Sequence, residues 1–366
     1  MLTAEITAPD RVEVLDRPLP KGPVGSSDLR VRMLAVGICG TDLSLATGLR
    51  TPPELPWRLG HEGIGEVAEV GSDTHGFAVG DRVALEPNIT CGRCEYCSLG
   101  MTSACTSRLS AGVLTQPGFL AEVVDHPSEF CHRLPPGMAL ERAVCVEPLA
   151  VAASAIRRTG LDGTETVLVL GAGAQGLLSI FSLVAQGYRP YVSEPDGGRR
   201  ALAVELGARV FTPRQCPAPD VVIDAAGVPE ALGAVVDHLA PFAAITLVGE
   251  DHHHLGASSF SIVQKQLRIK GSFIYEHPRD MAEAVELLDE MPTEKIMGPA
   301  LALDDVPAVF AGKGSHRGEN SQPGASPQSE VTSQLEITPL LEVTSRPEVK
   351  QWVDMRLRTH NAHAMH

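Results

Sequence analysis

A four-residue apolar run, Val167 to Leu170, feeds directly into Gly171-Ala172-Gly173-Ala174-Gln175-Gly176 and then into a helical pattern from Leu177 to Gln186. A short, continuous apolar run reads as a strand buried on both faces. G-x-G-x-x-G between such a strand and a helix is the turn of a dinucleotide-binding unit. The first glycine makes the turn, the second lets the backbone approach a pyrophosphate, and the third lets helix and strand pack. The pyrophosphate then meets the free N–H groups and the dipole of the helix N-terminus. Glu194, 18 residues beyond the last glycine, is placed to accept hydrogen bonds from a ribose hydroxyl and to repel a 2′-phosphate. That favours NAD over NADP. Arg199 and Arg200 act against the preference, because an arginine can hold a 2′-phosphate.

The pattern continues with strand-like Pro190–Ser193, Val221–Asp224, Ala244–Val248 and Leu267–Phe273, and helix-like Arg199–Leu206, Pro229–Leu239 and Pro278–Met291. Strands alternating with helices predict a parallel sheet covered on both faces. The first 150 residues differ. Short runs (Leu29–Val36, Gly65–Val70, Arg82–Glu86, Leu120–Val124) punctuated by Gly and Pro predict a β-rich unit. From 311 to 334 only Ala311, Ala325 and Val331 are apolar, too few to offset ordering entropy, so a disordered linker is expected there. Glu348–Arg358 reads as a short helix.

Acidic residues outnumber basic ones by 45 to 30, and the aromatics total only 15, so a nucleic-acid surface is excluded. No stretch approaches the length of a membrane span, and the N-terminus lacks the basic and apolar regions of a secretory signal. A cytoplasmic chain with reduced cysteines is expected.

Four of the eight cysteines, Cys91, Cys94, Cys97 and Cys105, form a C-x2-C-x2-C-x7-C array. Four thiolates so close in sequence can wrap one tetrahedral Zn2+, a closed and therefore structural site. A ferredoxin run spaces its last cysteine by three and follows it with proline, unlike Cys105-Thr106. Elsewhere, Cys39 lies between glycines in GICGTD, His61 in GHEGIGEV, and Glu147 in VEPLA, within the most apolar region of the chain. A buried carboxylate calls for a metal or a basic neighbour. Cys39, His61 and Glu147 could make a three-ligand zinc site with one position open; the alternative is an inert thiol and a capping acid. Cys131, Cys145 and Cys216 show no ligand spacing, although Cys145, two residues from Glu147, is a secondary candidate. His252–His254 could take a metal adventitiously but reads as a solvated loop.

Taken in order, GICGTD, GHEGIGEV, the four-cysteine run, VEPLA and VLGAGAQG resemble the zinc-dependent medium-chain alcohol dehydrogenases, most of all their sorbitol and threonine dehydrogenase branch, from the N-terminus to about Phe310. The resemblance implies an α/β chain, with a GroES-like β-rich catalytic domain plus a Rossmann doubly wound parallel sheet. Catalytic domain would be 1–155, Rossmann domain 156–290, a return to the catalytic domain 291–310, and an atypical tail 311–366. It carries catalytic zinc onto Cys39, His61 and Glu147, with Glu62 as an exchanging or supporting ligand, and structural zinc onto Cys91, Cys94, Cys97 and Cys105. Cofactor positions fall on Gly171, Gly173, Gln175, Gly176, Glu194 and Arg199, with Val248 and Phe273 lining the nicotinamide side. Thr41 supplies the hydroxyl that takes the substrate proton. Ser44 stands where a relay histidine is often found, so the proton would leave to water. Ile274 stands where polyol dehydrogenases commonly place an arginine. The implied activity is hydride transfer between NAD and a secondary alcohol or ketone (a polyol, cyclitol or amino alcohol) by a homo-oligomer joined near Leu267–Phe273. Threonine-type amino-alcohol oxidation and a catalytically silent zinc- and dinucleotide-binding relative are the alternatives.

Overall fold

The computed structural model describes residues 1–250, 254–288, 291–292, 295–311 and 349–358. The parallel sheet has six strands in the order Arg209–Val210, Tyr191–Ser193, Val167–Leu170, Val221–Asp224, Ala244–Leu247, Arg268–Gly271. In sequence rank that is 3-2-1-4-5-6, the doubly wound order whose switch point lies beside the first strand. Val167–Leu170 is buried at every position because helices cover both its faces. The glycine loop therefore opens at the switch point, immediately before the helix Ala174–Ala185.

The other unit is a mainly antiparallel β structure, with one parallel pair between Met297–Leu301 and Lys350–Asp354. Its main sheet runs Cys131–Arg133, Arg82–Leu85, Glu62–Val70, Asp28–Ile38, Lys350–Asp354, Met297–Leu301, and Val123–Pro127 pairs with the first half of Asp28–Ile38. The helix Val146–Thr159 links the two units. It is rich in alanine, carries Arg157 and Arg158 in its last turn, where they complement the dipole, and stops at Gly160 in the left-handed conformation. Its buried face joins an apolar core that runs from Leu34 and Ile64 through Leu149 to Val169 and Leu177. The same helix carries Glu147 in its first turn, so packing of the core places that acid.

Two sequence expectations are corrected. Lys350–Asp354 is a strand and not part of a helix, because it inserts between Asp28–Ile38 and Met297–Leu301 and bonds to both. The helix expected over Pro229–Leu239 ends at Gly233, and a separate 3-10 turn follows at Val236–His238. The linker expected over 311–334 lies, from 312 onward, outside the described residues. No helix among the described residues is long and apolar enough to cross a membrane.

Candidate active site

The cysteine lobe is built from one short helix, Glu95–Ser98, and a 3-10 turn, Thr102–Ala104. Its four sulfurs all lie within 4.8 Å of one another, with Cys94 and Cys97 Sγ 3.5 Å apart, and none is in a disulfide. Backbone N–H donors from Cys97 and Thr106 draw the Cys94 thiol down to about 6, while burial and the neighbouring thiols push Cys97 up to about 12. Four thiolates this close repel one another unless a cation neutralises them. A zinc tetrathiolate with bonds of ~2.3 Å sets its sulfurs ~3.8 Å apart. The lobe fits that ion.

The second cluster starts from Cys39, which caps the helix Gly40–Ala46. Asp42, three residues on, accepts from Cys39 N at 2.9 Å and from Gly60 N at 3.1 Å, so one buried carboxylate ties the two loops together. Asp42 Oδ1 also stands 3.4 Å from His61 Nδ1, although that nitrogen makes no aligned hydrogen bond among the described residues. A carboxylate behind the far nitrogen of an imidazole is how metal-binding histidines are oriented. Cys39 Sγ and the donor atoms of His61 and Glu62 lie within 4.8 Å of one another. Sulfur, imidazole and carboxylate together are a zinc donor set.

The structure does not bring Glu147 into that tight group. Glu147 faces the same cavity, buried, and burial raises its pKa to about 7. Tyr275, whose hydroxyl accepts from Asn88 Nδ2 at 3.0 Å, is its hydrogen-bonding neighbour. Glu62 instead ion-pairs with Lys350, whose buried Nζ also donates to Ile38 O at 3.1 Å. Glu62 is thus paired with Lys350 while it lies in the tight group, and Glu147 lies outside that group. Asp42, Lys350 and Tyr275 were not foreseen from the sequence. The Cys39-x-x-Asp42 capping spacing was a readable signal for the first; Lys350 gave none.

Cys39, Thr41, His61 and Glu147 line a cavity of about 750 Å³ together with Gly173, Gln175, Arg199, Val248 and Phe273. Gly171 adopts φ +84°, and a Cβ at Gly176 would lie 2.0 Å from Gly171 O, so the loop can close only on glycine. A Cβ at Gly173 would meet nothing within 4 Å, which leaves the room a pyrophosphate needs at the start of the 12-residue helix. Gln175 Oε1 is buried and unpartnered among the described residues. Glu194 lies beside the loop and not on the cavity wall; it accepts from Ala172 N at 2.7 Å and Asp196 N at 2.9 Å. The loop fits a dinucleotide. Ser44 lines the same cavity, but its hydroxyl donates to Gly40 O at 3.0 Å within its own helix. Ile274, also on the wall, sits at φ +43°, a strained conformation for a β-branched residue.

Residues 25–136 match the alcohol dehydrogenase GroES-like domain, and residues 174–290 match the zinc-binding dehydrogenase family. Sorbitol dehydrogenase of Arabidopsis thaliana is 36% identical over 218 residues, 58% of this chain and 60% of that protein. The protein named Probable D-xylulose reductase A of Emericella nidulans is 33% identical over 297 residues, 72% of this chain and 79% of that protein. A crystal structure described as that of a zinc-binding dehydrogenase from Sinorhizobium meliloti 1021, bound to NADP, superimposes with a TM-score of 0.79 at 26% identity, covering 96% of this chain and 98% of that one. The chain belongs to the zinc-dependent medium-chain alcohol dehydrogenases, on their sorbitol dehydrogenase-like branch.

Proposed function

We propose that this chain is an NAD-dependent oxidoreductase that interconverts a secondary alcohol, in a polyol, cyclitol or amino alcohol, with its ketone. The observation that carries the reading is the single cavity shared by the Cys39, His61 and Glu147 side chains and the glycine-loop cleft. When bound, zinc held by Cys39, His61 and Glu147 supplies a Lewis acid and NAD a hydride acceptor. The chain's own residues do the rest. Asp42 fixes Cys39 and His61 in register. Thr41 presents its hydroxyl to the cavity as acceptor of the alcohol proton. Because Ser44 is engaged with Gly40 O and is no base, the proton leaves to water. Val248 and Phe273 give the cavity apolar lining for the nicotinamide side. Screening polyols, cyclitols and amino alcohols by nicotinamide absorbance with zinc-loaded protein tests the proposal. Absence of turnover in all three classes with both NAD and NADP would overturn it.

Two substitutions probe the roles separately. Glu147→Ala should cost one zinc per chain on metal analysis while the cysteine lobe keeps its own, since the two sites share no ligand. Full zinc content and full activity would pass the ligand role to Glu62. Glu194→Ala should narrow the preference for NAD over NADP by about 10- to 100-fold, the worth of a charge-assisted hydrogen bond to a ribose hydroxyl. Arg199, on the cavity wall, is then free to favour a 2′-phosphate. A wild-type preference for NADP would reverse the assignment.

Assembly follows from the open edge of the parallel sheet. Arg268–Gly271 is its outermost strand and is mostly exposed, and Phe260 and Val263 on the adjoining helix Ser259–Lys265 are 72% and 68% exposed. Pairing two such edges would cover unpaired backbone and apolar surface together. The protein should elute as a dimer or tetramer on a sizing column, and a monomer at working concentration would refute this. The eight unpaired cysteines suit a reducing compartment, which supports a cytoplasmic location.

A further inference from the structure

A third group of metal-type donors lies outside the cavity that contains Cys39 and His61. Glu86 follows the strand Arg82–Leu85, and His132 lies in the neighbouring strand Cys131–Arg133, opposite Ala84. His277 comes from the other unit, in the segment that leads into the helix Arg279–Leu287. His132 Nε2 and His277 Nδ1 each stand 2.8 Å from Glu86 Oε2, and the three donor atoms all lie within 4.8 Å of one another. None of these residues lines the cavity.

Hydrogen bonding alone leaves this cluster incomplete. Two imidazoles share one carboxylate oxygen, while Glu86 Oε1 is buried with no partner among the described residues. Leaving a buried acceptor unpaired is costly, and the Glu86 side chain is only 1% exposed. The surroundings hold the imidazole of His277 in place. Its Nε2 faces Glu129 Oε1 at 3.8 Å, its backbone N–H donates to Thr102 Oγ1 at 2.7 Å, and the Phe130 ring packs against it with centroids 4.4 Å apart. A carboxylate behind the outer nitrogen is the support given to metal-bound histidines.

We infer that Glu86, His132 and His277 form a third divalent-metal site that cross-links the catalytic and cofactor-binding units. Two imidazoles and a carboxylate select zinc or a similar first-row ion over Mg2+ or Ca2+, which prefer all-oxygen shells. Zinc bonds of 2.0–2.1 Å in a tetrahedron separate ligands by about 3.3 Å. The present 2.8 Å separations would therefore open by roughly half an ångström, within reach of side-chain torsions, and Glu86 Oε1 or a water would complete the shell. Both histidine side chains are about one-tenth exposed, which gives an ion a route in from the surface.

The test uses full-length protein with its thiolate-bearing sites already filled. Titration with Zn2+ should show one further equivalent, and His277→Asn and His132→Gln should each weaken it at least 100-fold while leaving the other equivalents in place. Co2+ in the further site should give ligand-field bands with no thiolate charge transfer, because it has no sulfur ligand, whereas both other sites include cysteine. The wild-type cobalt spectrum decides the matter even if a variant misfolds. Absence of a further equivalent, a thiolate signature accompanying it, or its survival in both variants as an adventitious ion only, for instance on the His252–His254 run, would each overturn the site.

Discussion

Replacing Thr41 with Val should lower turnover by about 10²- to 10⁴-fold, the usual worth of a positioned proton-transfer group, while zinc content and NAD affinity stay at wild-type levels. Thr41 is the second residue of the helix Gly40–Ala46, two residues from Cys39, and it lines the cavity that Cys39, His61 and Glu147 also line. Valine keeps the shape and removes only the oxygen. Neither donor cluster includes Thr41, so metal retention separates a proton-transfer defect from a collapsed site. The neighbouring hydroxyl cannot substitute, because Ser44 is already bonded to Gly40 O. Wild-type turnover in Thr41→Val would assign proton acceptance to water.

What could be read from the sequence was the chemistry carried by neighbours in the chain. The glycine loop, the strand before it and the acid after it lie within 30 residues, and the four cysteines lie within 15, so spacing alone describes their geometry. The second cluster is different. Its members come from two separate segments, and their common purpose was legible only because the separate motifs together resemble a known family. Lys350 was out of reach of either route. It meets Glu62 across 288 residues of sequence. Val349, Trp352 and Val353 fall at intervals of three and four, a spacing that also suits a helix, and a strand buried between two others does not alternate. Only the pairing with Ala35–Ile38 on one side and Met297–Leu301 on the other fixes it as a strand. The family resemblance put both Glu147 and Glu62 with Cys39 and His61; Glu62, adjacent to His61 in the chain and ion-paired with Lys350, lies in the tight cluster, while Glu147 shares their cavity.

Cys94→Ser should remove one zinc per chain and lower the melting temperature by roughly 10 °C, since loss of a structural metal is among the few single changes that cost more than about 4 kcal/mol in general. The lobe has little else to hold it. Leu99 and Met101 are 65% and 50% exposed, and within the lobe's two short helical turns only Thr102 is buried. Four ligands on one ion replace the apolar core that a segment of this length cannot build. The effect should spread beyond the lobe. Thr102 and Ser103 donate to the Glu276 carboxylate, which also pairs with Arg158 at the end of the linking helix. A lobe that loosens therefore releases the segment carrying Tyr275, and with it the hydrogen bonds beside Glu147. Activity should fall along with stability, although no ligand of the second cluster has been touched. Proteolysis should cut first between Cys91 and Cys105 in the variant and elsewhere in the wild type. If Cys94→Ser keeps its zinc count and its melting temperature, or if the native lobe carries iron with a charge-transfer spectrum, the structural-zinc assignment fails.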